Sequence, residues 1–356
     1  MQQQTQKVFT QRHHQQIPQS LNGPQVLKHV DNYIIFNEKL GGGQFSQVYK
    51  AMDKNDSTHQ KYFAVKTIPM TPAQYQKISN YNQLLQKEID ILLKARHQNL
   101  IQMHDLKQTP NNLYLFLDYC NGGDLRQYIT KKKNRLSEEE AVEFFKQMCA
   151  GYQALNEKKI IHRDLKPENI LLHGNKIKIG DFGFARIVTD LDQAVRMTQK
   201  CSPLYAPPQI LLNEKYSSKC DVWSMGCIFF EMLYGKPPFN ANSIISLSEN
   251  IKKIVGNSQY QLPTYPPIAP EAKDILIKML MYNEKDRVSW EKIFKHPILN
   301  KNIQKLVPLD VELDHANNPL YQSIRKNIDA VWEQQQLTKK IINNIIIIIN
   351  SLENKN

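Results

Sequence analysis

Apolar residues recur along this chain in two periods, and the change from one to the other marks a change of architecture. From Tyr33 to about Val65, short alternating apolar stretches are broken by Gly41–Gly42–Gly43 and by the polar run Asp53 to Gln60, a pattern that predicts hairpin-connected strands. Leu84, Leu85, Ile91, Leu92 and Ala95 then follow helical spacing, and Leu113 to Tyr119 reads again as a strand. After Gly122–Gly123 the pattern turns mainly helical, and Ser137, three residues before Glu140, predicts a capped helix start. The expected fold is therefore α+β: a small β-rich part and a larger helical part, with the boundary near residues 119–124. Residues 1–30 carry nine glutamines and no acidic residue, which predicts a disordered arm unable to bury enough apolar surface to fold. In the tail, residues 301–356, Ile324, Ile328, Val331 and Trp332 fall at i, i+4, i+7 and i+8, predicting one amphipathic helix. The Asn/Ile run from Ile341 to Asn350 reads as compositional drift or, more sharply, as a partner-binding strand.

Composition narrows the class. The 356 residues are 41% hydrophobic and 22% charged, normal for a chain with a sizeable core. No apolar run approaches the roughly 18 residues of a membrane span. Gln-rich sequence stands where a signal peptide needs an apolar stretch, which argues against secretion. Five cysteines without a CxxC pair suit a reducing compartment, so the expected location is cytosolic or nuclear. The net charge of +12 is not accompanied by an aromatic-interleaved basic patch or zinc-ligand spacing. It reads as a solvated surface, with no nucleic-acid partner expected.

The candidate chemistry begins in Leu40-Gly41-Gly42-Gly43-Gln44-Phe45-Ser46-Gln47-Val48, where Gly41, Gly43 and Ser46 occupy the positions of a G-x-G-x-x-G loop. Glycines there let backbone N–H groups approach phosphate oxygens, although a Gly-rich hairpin turn has the same look. Eighteen residues past Val48, the strand-like Phe63-Ala64-Val65-Lys66 ends in a lysine. Glu88 lies within the apolar arc of the following helix, where a carboxylate is costly unless paired; Lys66 is the partner expected. The strongest signal is His162-Arg163-Asp164-Leu165-Lys166-Pro167-Glu168-Asn169, followed seventeen residues after Asp164 by Asp181-Phe182-Gly183. A base for a hydroxyl, oxygen ligands for Mg²⁺ and cations for a transferred phosphate make up the inventory of phosphoryl transfer. Apolar Ile160–Ile161 and Ile170–Leu171–Leu172 bracket this loop and would anchor it to the core.

In order and spacing, these motifs together with Asp221-Val-Trp-Ser-x-Gly226 resemble the eukaryotic protein kinases over residues 31–300. The resemblance implies the bilobal kinase fold, with lobes of about 31–119 and 120–300, and ATP and Mg²⁺ as cofactors. It implies that Lys66 holds the α/β-phosphates, Glu88 holds Lys66, Asp164 is the catalytic base, and Asn169 and Asp181 bind Mg²⁺. Lys166 looks like the serine/threonine-kinase lysine on the γ-phosphate. Asp118, Tyr119 and Cys120 look like the hinge that binds adenine, with Leu117 as gatekeeper. Val48, Ala64 and Leu171 would sandwich the ring, and Asp124 would reach the ribose. Leu92, Met103, His162 and Phe182 match the hydrophobic spine of the active state.

Two departures stand out. Gln209 occupies the place of the usual Glu, whose partner here would be Arg287, so a hydrogen bond without charge is expected. Cys201 stands where a glycine is usual. Tyr119 to Leu125, Cys201 to Trp223 and Arg287 to Pro297 are most similar to the Unc-51-like, autophagy-initiating kinases, with calmodulin-dependent-type kinases second. An active serine/threonine kinase and a pseudokinase scaffold both remain open readings, and the complete set Lys66, Glu88, Asp164, Asn169 and Asp181 favours the first. The resemblance further implies serine favoured over threonine, from Phe184 after the Asp-Phe-Gly glycine, and attraction of a nearby substrate arginine by Glu168 and Glu231. It implies regulation by phosphate at Thr198 paired with Arg163, a contact of Ser202 with the catalytic Asp and Lys, and a regulatory partner for the tail.

Overall fold

The computed structural model describes residues 25–43, 46–58, 61–70, 81–133, 135–194, 202–256 and 261–300, together with Gln322, Lys326 and Glu333. Six antiparallel strands open the fold: β1 (Val26–Val30), β2 (Tyr33–Gly42), β3 (Gln47–Asp53), β4 (Tyr62–Pro69), β5 (Met103–Thr109) and β6 (Asn112–Asp118), in spatial order β1-β2-β3-β4-β6-β5. Helix α1 (Tyr81–Lys94) lies between β4 and β5 in sequence. Alternation along β4 separates two environments. Phe63 and Val65 join a buried cluster with Val30, Tyr33, Ile35, Ala51, Tyr114 and Phe116, in which Tyr33 stacks on Phe116 at 3.7 Å. Ala64, Lys66 and Ile68 take the other face, where Leu113 and Leu115 pack with Leu85, Ile89 and Leu92 of α1.

Two expectations are corrected here. Val26–Val30, placed by composition in the polar arm, forms β1 and pairs with β2 from Val26↔Phe36 to Val30↔Tyr33. Only Val30 of this strand is buried, so the segment is held by ladder hydrogen bonds and one apolar anchor, which composition does not register. Leu84 is exposed, and the buried stripe of α1 instead runs through Leu85, Ile89 and Leu92. Residues 1–24, the predicted tail helix at Ile324, Ile328, Val331 and Trp332, and the run Ile341 to Asn350 lie outside the described residues. The three tail positions that are described are helical and exposed.

The larger part is built on helices. Asp124 caps α2 (Leu125–Lys131) by accepting from Gln127 N at 2.9 Å. Ser137 caps α3 (Glu138–Glu157) by accepting from Glu140 N at 3.3 Å, as expected, with three glutamates in the first turn against the helix dipole. Short strands β7 (Ile160–Ile161), β8 (Ile170–His173), β9 (Lys176–Ile179) and β10 (Arg186–Ile187) frame the loops between them. After α4 (Pro208–Leu211) comes α5 (Lys219–Tyr234), in which every residue from Cys220 to Leu233 is buried. A helix enclosed on all sides is the hub of its domain. Around it pack α3, through Phe145 stacked on Phe229 at 4.4 Å, and α7 (Pro270–Met279), which follows α6 (Ile244–Val255). Two short helices, α8 (Trp290–Phe294) and α9 (Pro297–Asn300), complete the fold. Each large aromatic buried here contributes about 1.5–3 kcal/mol, so the hub is a stiff platform for the loops above it. At the predicted boundary, Gly122 N donates to Leu172 O at 2.9 Å and Leu172 N to Gly123 O at 2.8 Å, fixing the inter-lobe connection to β8.

Candidate active site

Between β7 and β8, the loop His162–Asn169 carries a buried carboxylate, Asp164, at 4% exposure. Its Oδ2 accepts from Lys166 Nζ at 2.8 Å and from Asn169 Nδ2 at 3.1 Å. Its Oδ1 accepts from Ser202 Oγ at 3.1 Å and Ser202 N at 3.2 Å, so the expected Ser202 contact with the base is present. The loop needs an unusual backbone, since Arg163 has φ of 71°, a conformation disfavoured for a residue with a Cβ. Asp221 of α5 holds it there: its carboxylate accepts from His162 N at 2.6 Å, Arg163 N at 2.8 Å and Tyr152 Oη at 2.7 Å. Burial pushes the Asp221 carboxyl above its ordinary range, and these donors partly offset that penalty. Sequence reading took Asp221 only as a family marker; an acid inside the apolar run Cys220 to Leu233 was the signal of its role.

On the opposite side, Lys66 Nζ lies 2.5 Å from Glu88 Oε1, with both side chains largely buried. An unpaired carboxylate here would cost several kcal/mol, so the pair is what makes Glu88 tolerable on the inner face of α1. A Cβ built on Gly183 would lie 3.3 Å from Asp181 Oδ1 and 3.9 Å from Glu88 Oε2, which places the Asp-Phe-Gly turn beside the ion pair. Asp181 is exposed and Phe182 buried at 2%, against His162 with ring centroids 5.4 Å apart. Leu92 and Met103 are buried as well, and His162 Nε2 pairs with Gly180 O at 2.9 Å. The four positions expected of a spine are thus all interior.

The glycine loop is the turn between β2 and β3. Gly43 N donates to Ser46 O at 2.9 Å, and Gly41 and Gly42 pair with Val48 and Gln47. Gln44 and Phe45 lie outside the described residues, and Leu40 is exposed. Val48 is opposite Lys66, and Ala64 is opposite Leu117, so the predicted upper adenine contacts and the gatekeeper share a sheet face with the lysine. Leu171 bridges to Asp124 beside the hinge. Asp124, expected at the ribose, has its oxygens on Gln127, at 2.9 Å to N and 2.8 Å to Nε2. Asp118 contributes its side chain to the scaffold, accepting from His104 Nε2 at 2.7 Å, Lys178 Nζ at 2.9 Å and Gln102 N at 3.0 Å. Burial opposes its charge, but His104 and Lys178 outweigh burial and hold the carboxyl below its usual range. Burial and the neighbouring Asp118 push the Cys120 thiol up to about 12.

Further out, Arg163 Nε donates to Tyr216 Oη at 3.1 Å. Thr198 and Cys201 lie outside the described residues. Arg287 Nη2 donates to Gln209 Oε1 at 3.0 Å, the expected neutral substitute for the usual ion pair, and Gln209 Nε2 donates to Tyr282 O at 2.9 Å. Burial pushes Arg287 down to about 10, only partly offset by the charge of Glu284. Glu168 and Glu231, expected to attract a substrate arginine, are both bonded to the chain's own Arg126, with Nε to Glu168 Oε1 at 3.1 Å. Arg126 went unnoticed because its partners are 42 and 105 residues away.

These residues fit a nucleotide and a hard cation. Among the described residues, a Cβ at Gly41 or Gly43 would meet nothing within 4 Å, so the protein itself does not require these glycines, and the space suits phosphates. Asn169 gives its amide hydrogens to Asp164 and keeps its carbonyl oxygen as an acceptor; Asp181 offers an exposed carboxylate. Among the described residues there is no cluster of three His, Cys, Asp or Glu, and Mg²⁺ is normally held by one or two carboxylates plus water and phosphate rather than by a protein cage.

Comparison with known proteins agrees with this geometry. Residues 34–299 match the protein kinase domain family. Serine/threonine-protein kinase atg1 of Dictyostelium discoideum is 35% identical over 283 residues, 78% of this chain and 40% of that protein. Serine/threonine-protein kinase ULK3 of Homo sapiens is 32% identical over 301 residues, 84% of this chain and 60% of that protein. Serine/threonine-protein kinase unc-51 of Caenorhabditis elegans is 35% identical over 303 residues, 80% of this chain and 33% of that protein. The chain spans less than two thirds of each of these relatives. With Asp164 bonded within its loop, Lys66 paired with Glu88 and the Asp181–Gly183 turn beside that pair, and with this match over most of its length, the chain belongs to the protein kinase domain family.

Proposed function

We propose that the chain is an active serine/threonine protein kinase of the Unc-51-like type, transferring the γ-phosphate of ATP to protein hydroxyls with Mg²⁺. The observation that carries this reading is the closed Lys66–Glu88 pair together with buried Phe182 and a fully bonded Asp164. A pseudokinase scaffold would have no need of all three. Bound at Asn169 and Asp181, Mg²⁺ would supply charge neutralisation for the phosphates. Asp164 orients the acceptor hydroxyl and takes its proton, and Lys166 beside it offsets negative charge on the transferred group. Glu88 keeps Lys66 extended toward the α/β-phosphates. Backbone of Asp118 and Cys120 holds adenine between Val48, Ala64 and Leu171.

Finer points belong to the same proposal. Phe184 favours serine over threonine, phosphate at Thr198 activates through Arg163, and the tail beyond residue 300 binds a regulatory partner. Autophagy-related signalling in the cytosol or nucleus is the cellular reading. In support, no helix among the described residues is long and apolar enough to cross a membrane, and Cys120, Cys149, Cys220 and Cys227 are free thiols. The test is phosphate transfer from ATP to a serine-containing acceptor protein with Mg²⁺, with EDTA, and with Lys66→Met. Transfer that needs Mg²⁺ and is nearly abolished in Lys66→Met is expected; full transfer by the variant would refute the mechanism.

A further inference from the structure

Beside the catalytic loop, two carboxylates that could recruit a basic substrate are already occupied by the chain itself. Arg126, in the first turn of α2, donates Nε to Glu168 Oε1 at 3.1 Å and Nη2 to Glu231 Oε2 at 3.2 Å. Its Nη1 also meets Glu231 Oε1, and its Nη2 meets Tyr205 Oη, which itself donates to Glu231 Oε2 at 2.7 Å. The Glu231 side chain is 1% exposed, while those of Arg126 and Glu168 are 33% and 44% exposed, so the cluster has a buried floor and an open rim. Burial opposes the guanidinium charge, yet Glu231, Tyr205 and Glu168 outweigh it and hold its pKa above the ordinary arginine range.

The cluster stands next to the chemistry. Glu168 is in the same loop as Asp164, four residues on, and Tyr205 follows by three the Ser202 that bonds Asp164. Asp164, Ser202 and Tyr205 line one pocket. An extended peptide advances about 3.3–3.6 Å per residue, so with its hydroxyl at Asp164, a side chain a few residues away reaches the rim.

We propose that Arg126 is a specificity-determining residue: it fills the acidic pocket of Glu168, Glu231 and Tyr205, and so removes selection for arginine or lysine near the acceptor, leaving uncharged flanking side chains as the substrate class. This rests on the kinase reading above. A planar guanidinium that engages both carboxylates satisfies the geometry an incoming arginine would need. A substrate cation must then displace a competitor tethered at high effective concentration.

The experiment uses serine peptides that differ only in having Arg or Leu at each position from four before to four after the serine, read as the Arg/Leu ratio of kcat/KM. For the full chain the ratio is expected at or below unity throughout. In Arg126→Ala it should rise at one position by about tenfold or more, the lower end for a charge-assisted hydrogen bond, and mainly through KM. Arg126→Ala/Glu231→Gln removes the stranded buried charge and should lose the gained preference. Where Arg126→Ala does not fold, Arg126→Gln, which keeps a donor for Glu231, has the same two outcomes. A strong arginine preference in the unmodified chain, or an unmoved ratio in the Arg126 variants, would overturn the proposal. No transfer to any peptide, the Leu series included, would instead count against the kinase reading.

Discussion

Around Asp164 the polar side chains are held by others, whereas the described residues between Gly41 and Val48 are held by backbone pairing. Asp164 accepts from Lys166 and Asn169 of its own loop and twice from Ser202, and Asp221 accepts from His162 and Arg163 of that loop and from Tyr152 of α3. Among the described residues, the glycine loop makes ladder bonds and a turn bond, Gly43 N to Ser46 O, and Gly41 and Gly43 face open space. On the proposed function, the difference follows from the tasks. A group that orients a hydroxyl and takes its proton needs one fixed position, and misplacing it by about 1 Å can cost a hundredfold. A phosphate cradle needs N–H groups and room. Substitutions on the first side should therefore cost stability and turnover together, and those on the second should act on nucleotide affinity alone.

The largest expected effect is at the strut. Asp221→Ala leaves three donors without an acceptor, two of them buried, at about 1–3 kcal/mol each, and should destabilise the fold by about 3–5 kcal/mol in urea unfolding while abolishing turnover. Stability within 1 kcal/mol of the parent would show that the loop does not depend on this carboxylate. Gly41→Val is the counterpart on the open side. A Cβ there meets no described residue within 4 Å, so unfolding should shift by less than about 0.5 kcal/mol. The KM for ATP should nevertheless rise about tenfold, equivalent to about 1.4 kcal/mol of lost binding. A lower melting temperature with unaltered KM would reverse the assignment of the cradle.

A smaller effect probes the hinge between the two. His104 and Lys178 outweigh burial and hold the Asp118 carboxyl below the ordinary aspartate value of 3.8, so its folded form binds fewer protons than the unfolded chain in acid. Its contribution is present above the unfolded value and is lost as pH falls through the folded one. Asp118→Asn should therefore be less stable than the parent by about 1 kcal/mol at neutral pH. The gap should close below pH 3.8. A gap independent of pH would mean that packing, not the His104 and Lys178 partners, accounts for the loss.

Much of the site was legible because its residues are close in sequence and few in kind. The loop from His162 to Asn169 and the turn from Asp181 to Gly183 declare a base, cations and oxygen ligands within twenty residues. Glu88 was legible from its angle on α1, since a carboxylate inside an apolar arc demands a cation, and Lys66 is that cation. Contacts spanning long separations left no local trace. Asp221 reaches back 59 residues to His162, and Arg126 reaches forward 105 to Glu231. The same holds within the hinge region, where the Asp118 side chain is bonded to His104 and Lys178 and that of Asp124 caps α2. Strand β1 was missed because hydrogen bonding to β2, rather than apolar content, holds it.

The central claim is that Asp164 acts on the acceptor hydroxyl and not on nucleotide binding. Single-turnover transfer of γ-phosphate to a serine peptide, measured on Asp164→Asn alongside direct titration with Mg-ATP, tests it most directly. The account predicts that nucleotide affinity stays within about threefold of the parent while the transfer rate falls by about 10²–10⁴-fold, the range of a lost general base. Undiminished transfer, or a loss wholly explained by weaker nucleotide binding, would contradict it.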